Sequence, residues 1–176
     1  EKKVVALNSG TSAIHLALIL SGVKKGDEVL CQTFTYIASV NPIMYQQATP
    51  IFIDSENDTW NMCPLSLEKA IKDRELKGKK PKAIIFVNIY GMPAKIDEIQ
   101  KIAKKYNITL IEDAAEALGS EYNGKKCGTF GDFSILSFNN NKIISTLGGG
   151  ALICKNEDEK QKAVFYATQS KEKDNY

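Results

Sequence analysis

Three short segments of this 176-residue chain combine residue types that could do chemistry together. The first is Asn8-Ser9-Gly10-Thr11-Ser12, which runs into the apolar stretch Ala13-Ile14-His15-Leu16. Small residues at a helix start leave backbone N–H groups free at the positive end of the helix dipole, and the hydroxyls of Thr11 and Ser12 add donors. Such a turn can hold a phosphate without any lysine. By itself it also reads as an ordinary capped helix, with Thr11 as the N-cap. It is neither G-x-G-x-x-G nor a P-loop, so the fingerprints of dinucleotide and nucleoside triphosphate sites are missing.

The second segment is Ile111-Glu112-Asp113-Ala114-Ala115-Glu116. Asp113 follows a buried strand, where a carboxylate is costly unless it faces a cation. A protonated ring nitrogen would serve, and Glu116 could reach the same ligand from the next turn. Alternatively, Asp113 caps a following helix. The third segment is Ser137-Phe138-Asn139-Asn140-Asn141-Lys142, followed by Ser145-Thr146 and Gly148-Gly149-Gly150. Lys142 stands after a strand among polar turn residues, unlike the lysines of the helices, although a solvated turn lysine would look the same in isolation. Together the segments supply a phosphate cup, a carboxylate for a pyridine nitrogen and an amine for an aldehyde. That set is what pyridoxal 5'-phosphate requires.

These residues need a scaffold, and the apolar pattern describes one. Strands are expected at Val4–Leu7, Val29–Cys31, Pro50–Ile53, Ala83–Val87, Thr109–Ile111, Ser134–Phe138 and Ala151–Cys154. Helices are expected at Ser12–Leu20, Ile37–Gln46 (with Pro42 inside it), Leu65–Lys72, Ile96–Tyr106 and Glu157–Thr168. Lys77–Lys82 reads as a basic loop. Strands that are apolar on both faces and alternate with helices predict an α/β fold, a mainly parallel sheet sandwiched by helices. The last two strands are too close in sequence for a helix to join them, so at least one antiparallel strand is expected. Open α/β sheets bind ligands beyond the carboxyl ends of their strands, where all three segments fall.

Composition narrows the function classes. At roughly 150 residues per domain, the length predicts one domain. The chain is 43% apolar and 25% charged, with a net charge of +2 and a single arginine, Arg74, which argues against nucleic-acid binding. No apolar run reaches the ~18 residues of a membrane span, and Glu1-Lys2-Lys3-Val4-Val5 has no signal-peptide anatomy. Cys31, Cys63, Cys127 and Cys154 are dispersed and form no C-x-x-C pair, which argues against a metal site and fits a reducing, cytoplasmic setting. His15, the one histidine, reads as a packed helix residue.

Five stretches, Asn8–Leu18, Thr33–Ser39, Ile111–Ser120, Gly128–Asp132 and Ser137–Gly150, resemble in order the motifs of the DegT/DnrJ/EryC1/StrS family. These are sugar aminotransferases of the aspartate-aminotransferase fold, and the resemblance spans essentially the whole chain. It implies a type I pyridoxal-phosphate fold in which Lys142 forms the Schiff base with the cofactor and Asp113 partners the pyridine nitrogen. Glu116 would lie beside the cofactor hydroxyl, and Gly10, Thr11, Ser12 and Ser137 around the phosphate. Tyr36 would stack on the ring, although it also reads as a plain core aromatic. Family enzymes are about twice this length, so residues 1–176 are expected to be the large domain without its N-terminal arm and C-terminal small domain, in a protein that forms a homodimer.

The FNNNKIISTLGGG stretch and Thr168-Gln169 further resemble the bacillosamine-type branch. Those enzymes move an amino group from L-glutamate, which leaves as 2-oxoglutarate, to C4 of a UDP-linked 4-keto-6-deoxy-N-acetylhexosamine for surface glycans. Two departures stand out. Asn88 replaces a common histidine before the Tyr-Gly pair, and Ser170-Lys171 replaces a common Ala-Arg. The rival readings are a transaminase for a GDP-linked hexose and a non-catalytic α/β phosphate-binding module. Dehydratase relatives carry histidine at the lysine position, which Lys142 disfavours.

Overall fold

The computed structural model describes residues 3–170; Glu1, Lys2 and Lys171 lie outside them. Seven strands form one sheet: β1 (Lys3–Leu7), β2 (Glu28–Gln32), β3 (Thr49–Ile53), β4 (Ala83–Val87), β5 (Thr109–Asp113), β8 (Phe133–Ser137) and β9 (Gly150–Cys154). Their order across the sheet is β1-β9-β8-β5-β4-β2-β3. From β3 to β8 every neighbouring pair is parallel. β9 runs antiparallel to both β8 and β1, as the short β8–β9 connection requires.

Helices cover both faces because the central strands are apolar on both sides. Val29, Cys31, Ile85, Ile111 and Ile135 pack with Ala13, Ile14, Ala17 and Leu18 of α1 (Gly10–Leu20), Ile43 of α2 (Asn41–Tyr45) and Ala163 of α5 (Glu157–Ala167). The alternate residues Leu30, Ile84, Phe86 and Leu110 pack with Leu67 and Ile71 of α3 (Pro64–Leu76) and Ile96, Ile99 and Ala103 of α4 (Ile96–Tyr106). Side chains alternate along a strand, so Asp113 belongs to the α1 face with Ile111, and Glu112 to the α3–α4 face with Leu110.

Three expectations need correction. The N-cap of α1 is Ser9, not Thr11: Ser9 has extended backbone and its Oγ accepts the Ser12 N–H at 3.1 Å. The helix expected over Ile37–Gln46 is split into a single 3-10 turn at Ile37–Ser39 and the short α2, because Pro42 sits in the first turn of α2 and cannot continue a preceding helix. No helix follows β5, so Asp113 is not a helix cap; residues 114–119 are turns. In addition, α3 runs past the expected Lys72 to Leu76, where Arg74 forks onto the buried Glu28 of β2 at 2.6 and 2.9 Å.

The small hairpin β6 (Glu121–Tyr122) and β7 (Lys125–Lys126), absent from the strands expected above, turns on Asn123-Gly124, a strong hairpin dipeptide. Gly150 is dictated by contact. A Cβ there would lie 2.3 Å from the Ser9 carbonyl carbon and 2.5 Å from the Gly10 nitrogen, so only glycine lets β9 pass against the start of α1.

Candidate active site

A cavity of about 300 Å³ opens at the carboxyl ends of the parallel strands and the start of α1. Asp113, Glu116, Lys142, Ser137, Gly10, Thr11 and Tyr36 all line it. Ser12 does not. Its hydroxyl meets the Ser9 hydroxyl at 3.0 Å, and it lines a neighbouring groove between β1, α1 and α5.

Asp113 ends β5 and is buried, 4% exposed. Its Oδ2 accepts a 2.7 Å hydrogen bond from Ser39 Oγ, and its Oδ1 accepts the Ala115 N–H at 3.1 Å. Burial raises the Asp113 carboxyl above its ordinary range; these two hydrogen bonds and the charge of Lys142 act in the opposite direction. A carboxylate in this position is short of positive charge. Ser39 escaped the sequence reading although it lies in the Thr33–Ser39 stretch; only the fold brings it to a residue 74 positions away.

Lys142 is not a solvated turn lysine. Its side chain is 11% exposed, and Nζ donates to Glu116 Oε1 at 3.1 Å. The other carboxylate oxygen of Glu116 accepts the Tyr90 N–H at 3.2 Å. Amine and carboxylate are thus paired in the lining of the cavity that also contains Asp113.

At the third corner, Gly10 and Thr11 are the first residues of α1, whose leading N–H groups have no intrahelical acceptor. Ser137 closes on them from the end of β8. A Cβ on Gly10 would lie 3.0 Å from Ser137 Cβ and 3.4 Å from its Oγ, so glycine keeps this cradle open. Tyr36, largely exposed, forms one wall.

Other groups are unsuited to catalysis. Burial pushes the thiol of Cys31 up to about 12 and those of Cys127 and Cys154 up to about 11, so none offers a ready thiolate. His15 is packed edge-on to Tyr45, its Nε2 lies 2.7 Å from Gln46 Nε2, and burial lowers its pKa. Asn88, the departure from the common histidine, is a fully buried anchor. Its Nδ2 donates to Glu112 Oε1 at 3.0 Å and its Oδ1 accepts the Ala94 N–H at 3.0 Å.

Residues 1–176 match the DegT/DnrJ/EryC1/StrS aminotransferase family over their whole length. The chain belongs to this family. It is 54% identical over 171 residues to EpsN of Bacillus subtilis strain 168, provisionally named a pyridoxal phosphate-dependent aminotransferase; the match covers 97% of this chain and 44% of EpsN. GDP-perosamine synthase of Escherichia coli O157:H7 is 45% identical over 163 residues, covering 93% of this chain and 43% of the relative.

Among solved structures, a DegT/DnrJ/EryC1/StrS aminotransferase from Brucella abortus superposes with a TM-score of 0.94 at 30% identity, covering 98% of this chain and 47% of that one. The PLP-form of a Streptococcus pneumoniae protein, Spr1654, provisionally named a sugar aminotransferase, gives 0.80 at 32% identity, covering 94% and 45%. The chain therefore spans a little under half the length of these relatives.

Proposed function

We propose that this chain is the cofactor-binding large domain of a pyridoxal-phosphate-dependent nucleotide-sugar aminotransferase. The observation that carries the reading is that Asp113, Lys142 and the Gly10–Thr11–Ser137 cradle line one cavity. The donor set suits the cofactor group by group: neutral N–H and hydroxyl donors for a phosphate, a buried carboxylate for a pyridinium, a shielded amine for an aldehyde and an aromatic wall for a flat ring. Ser12, bonded to Ser9, would act on the phosphate through the cap it completes.

Bound there, the cofactor supplies an electron sink that lets nitrogen pass from an amino acid to a keto sugar. Lys142 Nζ would attach the aldehyde and, once freed by the amino donor, carry the proton that moves during transfer. Asp113 would keep the ring nitrogen protonated, because a buried carboxylate gains most from a cation directly opposite it. Glu116 orients Nζ within the cavity.

For the sugar, the FNNNKIISTLGGG stretch supports transfer from L-glutamate to C4 of a UDP-linked 4-keto-6-deoxy-N-acetylhexosamine. A second reading, a GDP-linked 4-keto hexose, is favoured by the 45% identity to GDP-perosamine synthase. We further propose that the full-length protein is a homodimer. Four free cysteines suit a cytoplasmic enzyme; among the described residues no helix is long and apolar enough to cross a membrane.

Two experiments test the proposal. Borohydride reduction of the cofactor-loaded full-length protein should leave a pyridoxyl label on Lys142; a label on another lysine refutes the site, and no label refutes the enzyme class. Assay against UDP- and GDP-linked 4-keto sugars then decides between the two nucleotides.

A further inference from the structure

We infer that Asn61 is a positioning residue that sets Glu116, and through it Lys142, from a loop outside the cavity. Asn61 follows β3 and is fully buried, yet all its side-chain polar atoms are bonded. Its Oδ1 accepts the Ile89 N–H at 2.9 Å, and its Nδ2 donates to the Met92 carbonyl at 2.9 Å and to Thr59 Oγ1 at 3.2 Å. It therefore grips both sides of the Tyr90-Gly91 turn. That turn is strained: Tyr90 has φ 51°, in the left-handed region that bulky residues avoid.

The far side of the turn is held as firmly. Ser120 Oγ donates to the Gly91 carbonyl at 2.7 Å, and a Cβ on Gly91 would press the Glu116 carbonyl oxygen at 3.1 Å. What this clamped turn offers the cavity-lining Glu116 is the Tyr90 N–H, bonded to Glu116 Oε2, while Glu116 Oε1 receives Lys142 Nζ. A backbone donor cannot be re-aimed by a side-chain rotation. The carboxylate is fixed at one oxygen so that the other holds the amine. Asn61 occupies no part of the cavity lining and acts only through this relay.

The inference rests on Lys142 being the cofactor-bearing lysine, and a double-mutant cycle separates the two claims. In the full-length protein, the rate at which pyridoxal phosphate becomes fixed on Lys142 under borohydride is measured by peptide mapping, without any turnover. Asn61→Ala should slow labelling of Lys142 about tenfold in the wild-type background and less than twofold in a Glu116→Gln background. Equal slowing in both backgrounds, or none in the first, overturns the inference. If Asn61→Ala does not fold, Asn61→Ser, whose single hydroxyl can serve Ile89 or Met92 but not both, is carried through the same cycle. Its smaller effect should again vanish with Glu116→Gln, and persistence there overturns the inference. Wild-type label elsewhere than Lys142 refutes the functional reading instead.

Discussion

Glu112 and Asp113 are adjacent buried carboxylates that face opposite sides of β5 and are satisfied very differently. Glu112 accepts four hydrogen bonds, from Gly128 N–H, Phe130 N–H, Ser134 Oγ and Asn88 Nδ2, all between 2.7 and 3.0 Å. Asp113 accepts two, on the side that borders the cavity. Glu112→Ala should therefore destabilise the protein by about 3 kcal/mol or more, because it strands several buried donors. Urea unfolding of the cofactor-free protein measures this.

Asp113→Asn should do the reverse. A carboxyl whose native pKa is raised binds its proton more tightly folded than unfolded. Its ionisation thus weakens the fold as pH rises through the carboxylate range, and the penalty persists above it. The variant should melt higher than wild type at pH 7 when cofactor-free, with the gap closing at low pH. Turnover should fall by orders of magnitude, since a neutral pyridine is a poor electron sink. Near-wild-type turnover would remove Asp113 from its proposed role.

Lys142→Ala should keep the fold, since the one side-chain partner of its amine among the described residues, Glu116, is itself a partly exposed cavity-lining residue. Cofactor should still bind through the α1 cradle, while the borohydride-stable label and nearly all transamination disappear. Label retained in this variant would show that another lysine does the chemistry.

Thr11→Ala removes one hydroxyl from the proposed phosphate cradle and leaves its N–H in place. A hydrogen bond to a charged group is worth ~1.5–3 kcal/mol, so cofactor affinity should weaken by roughly ten- to hundredfold. Equilibrium titration of cofactor-free protein checks this, and an unchanged Kd would count against the cradle.

Glu56 predicts an acid transition in a different loop. Burial opposes its ionisation, but hydrogen bonds from the Thr59 hydroxyl, the Lys95 ammonium and the N–H groups of Asp58 and Thr59 win, holding its carboxyl down at about 2. A depressed carboxyl stabilises the fold above its unfolded value, about 4.5, and that stability is lost as pH falls toward 2. Trp60, the sole tryptophan, sits in this loop. Its fluorescence should change over that window, and Glu56→Gln should abolish the window.

The sheet was legible in the sequence because its central strands are buried on both faces and appear as short apolar runs between amphipathic helices. The three chemical segments were legible because each follows a strand, where an open sheet exposes its ligand. What stayed hidden was long-range and polar. Ser39 and Asn61 act on residues far away in sequence, and nothing local distinguishes them from loop hydroxyls and amides. Thr11 reads as a cap in the sequence because serine and threonine compete for that position, and only the extended backbone of Ser9 decides it.

The pairing of β1 with β9 has a consequence for how the chain folds as it is made. Lys3 lies opposite Cys154, and Leu7 opposite Gly150, so β1 waits for the much later β9 before it gains its sheet partner among the described residues. Until then its open edge is exposed, and such contacts between distant residues form slowly. The cradle at Gly10 shares this fate, because Gly150 closes against Ser9 only when β9 arrives. Capture of a phosphate group by the proposed cradle in nascent chains should therefore begin abruptly, once β9 has cleared the exit tunnel, making ligand uptake a late clock for closure of this sheet.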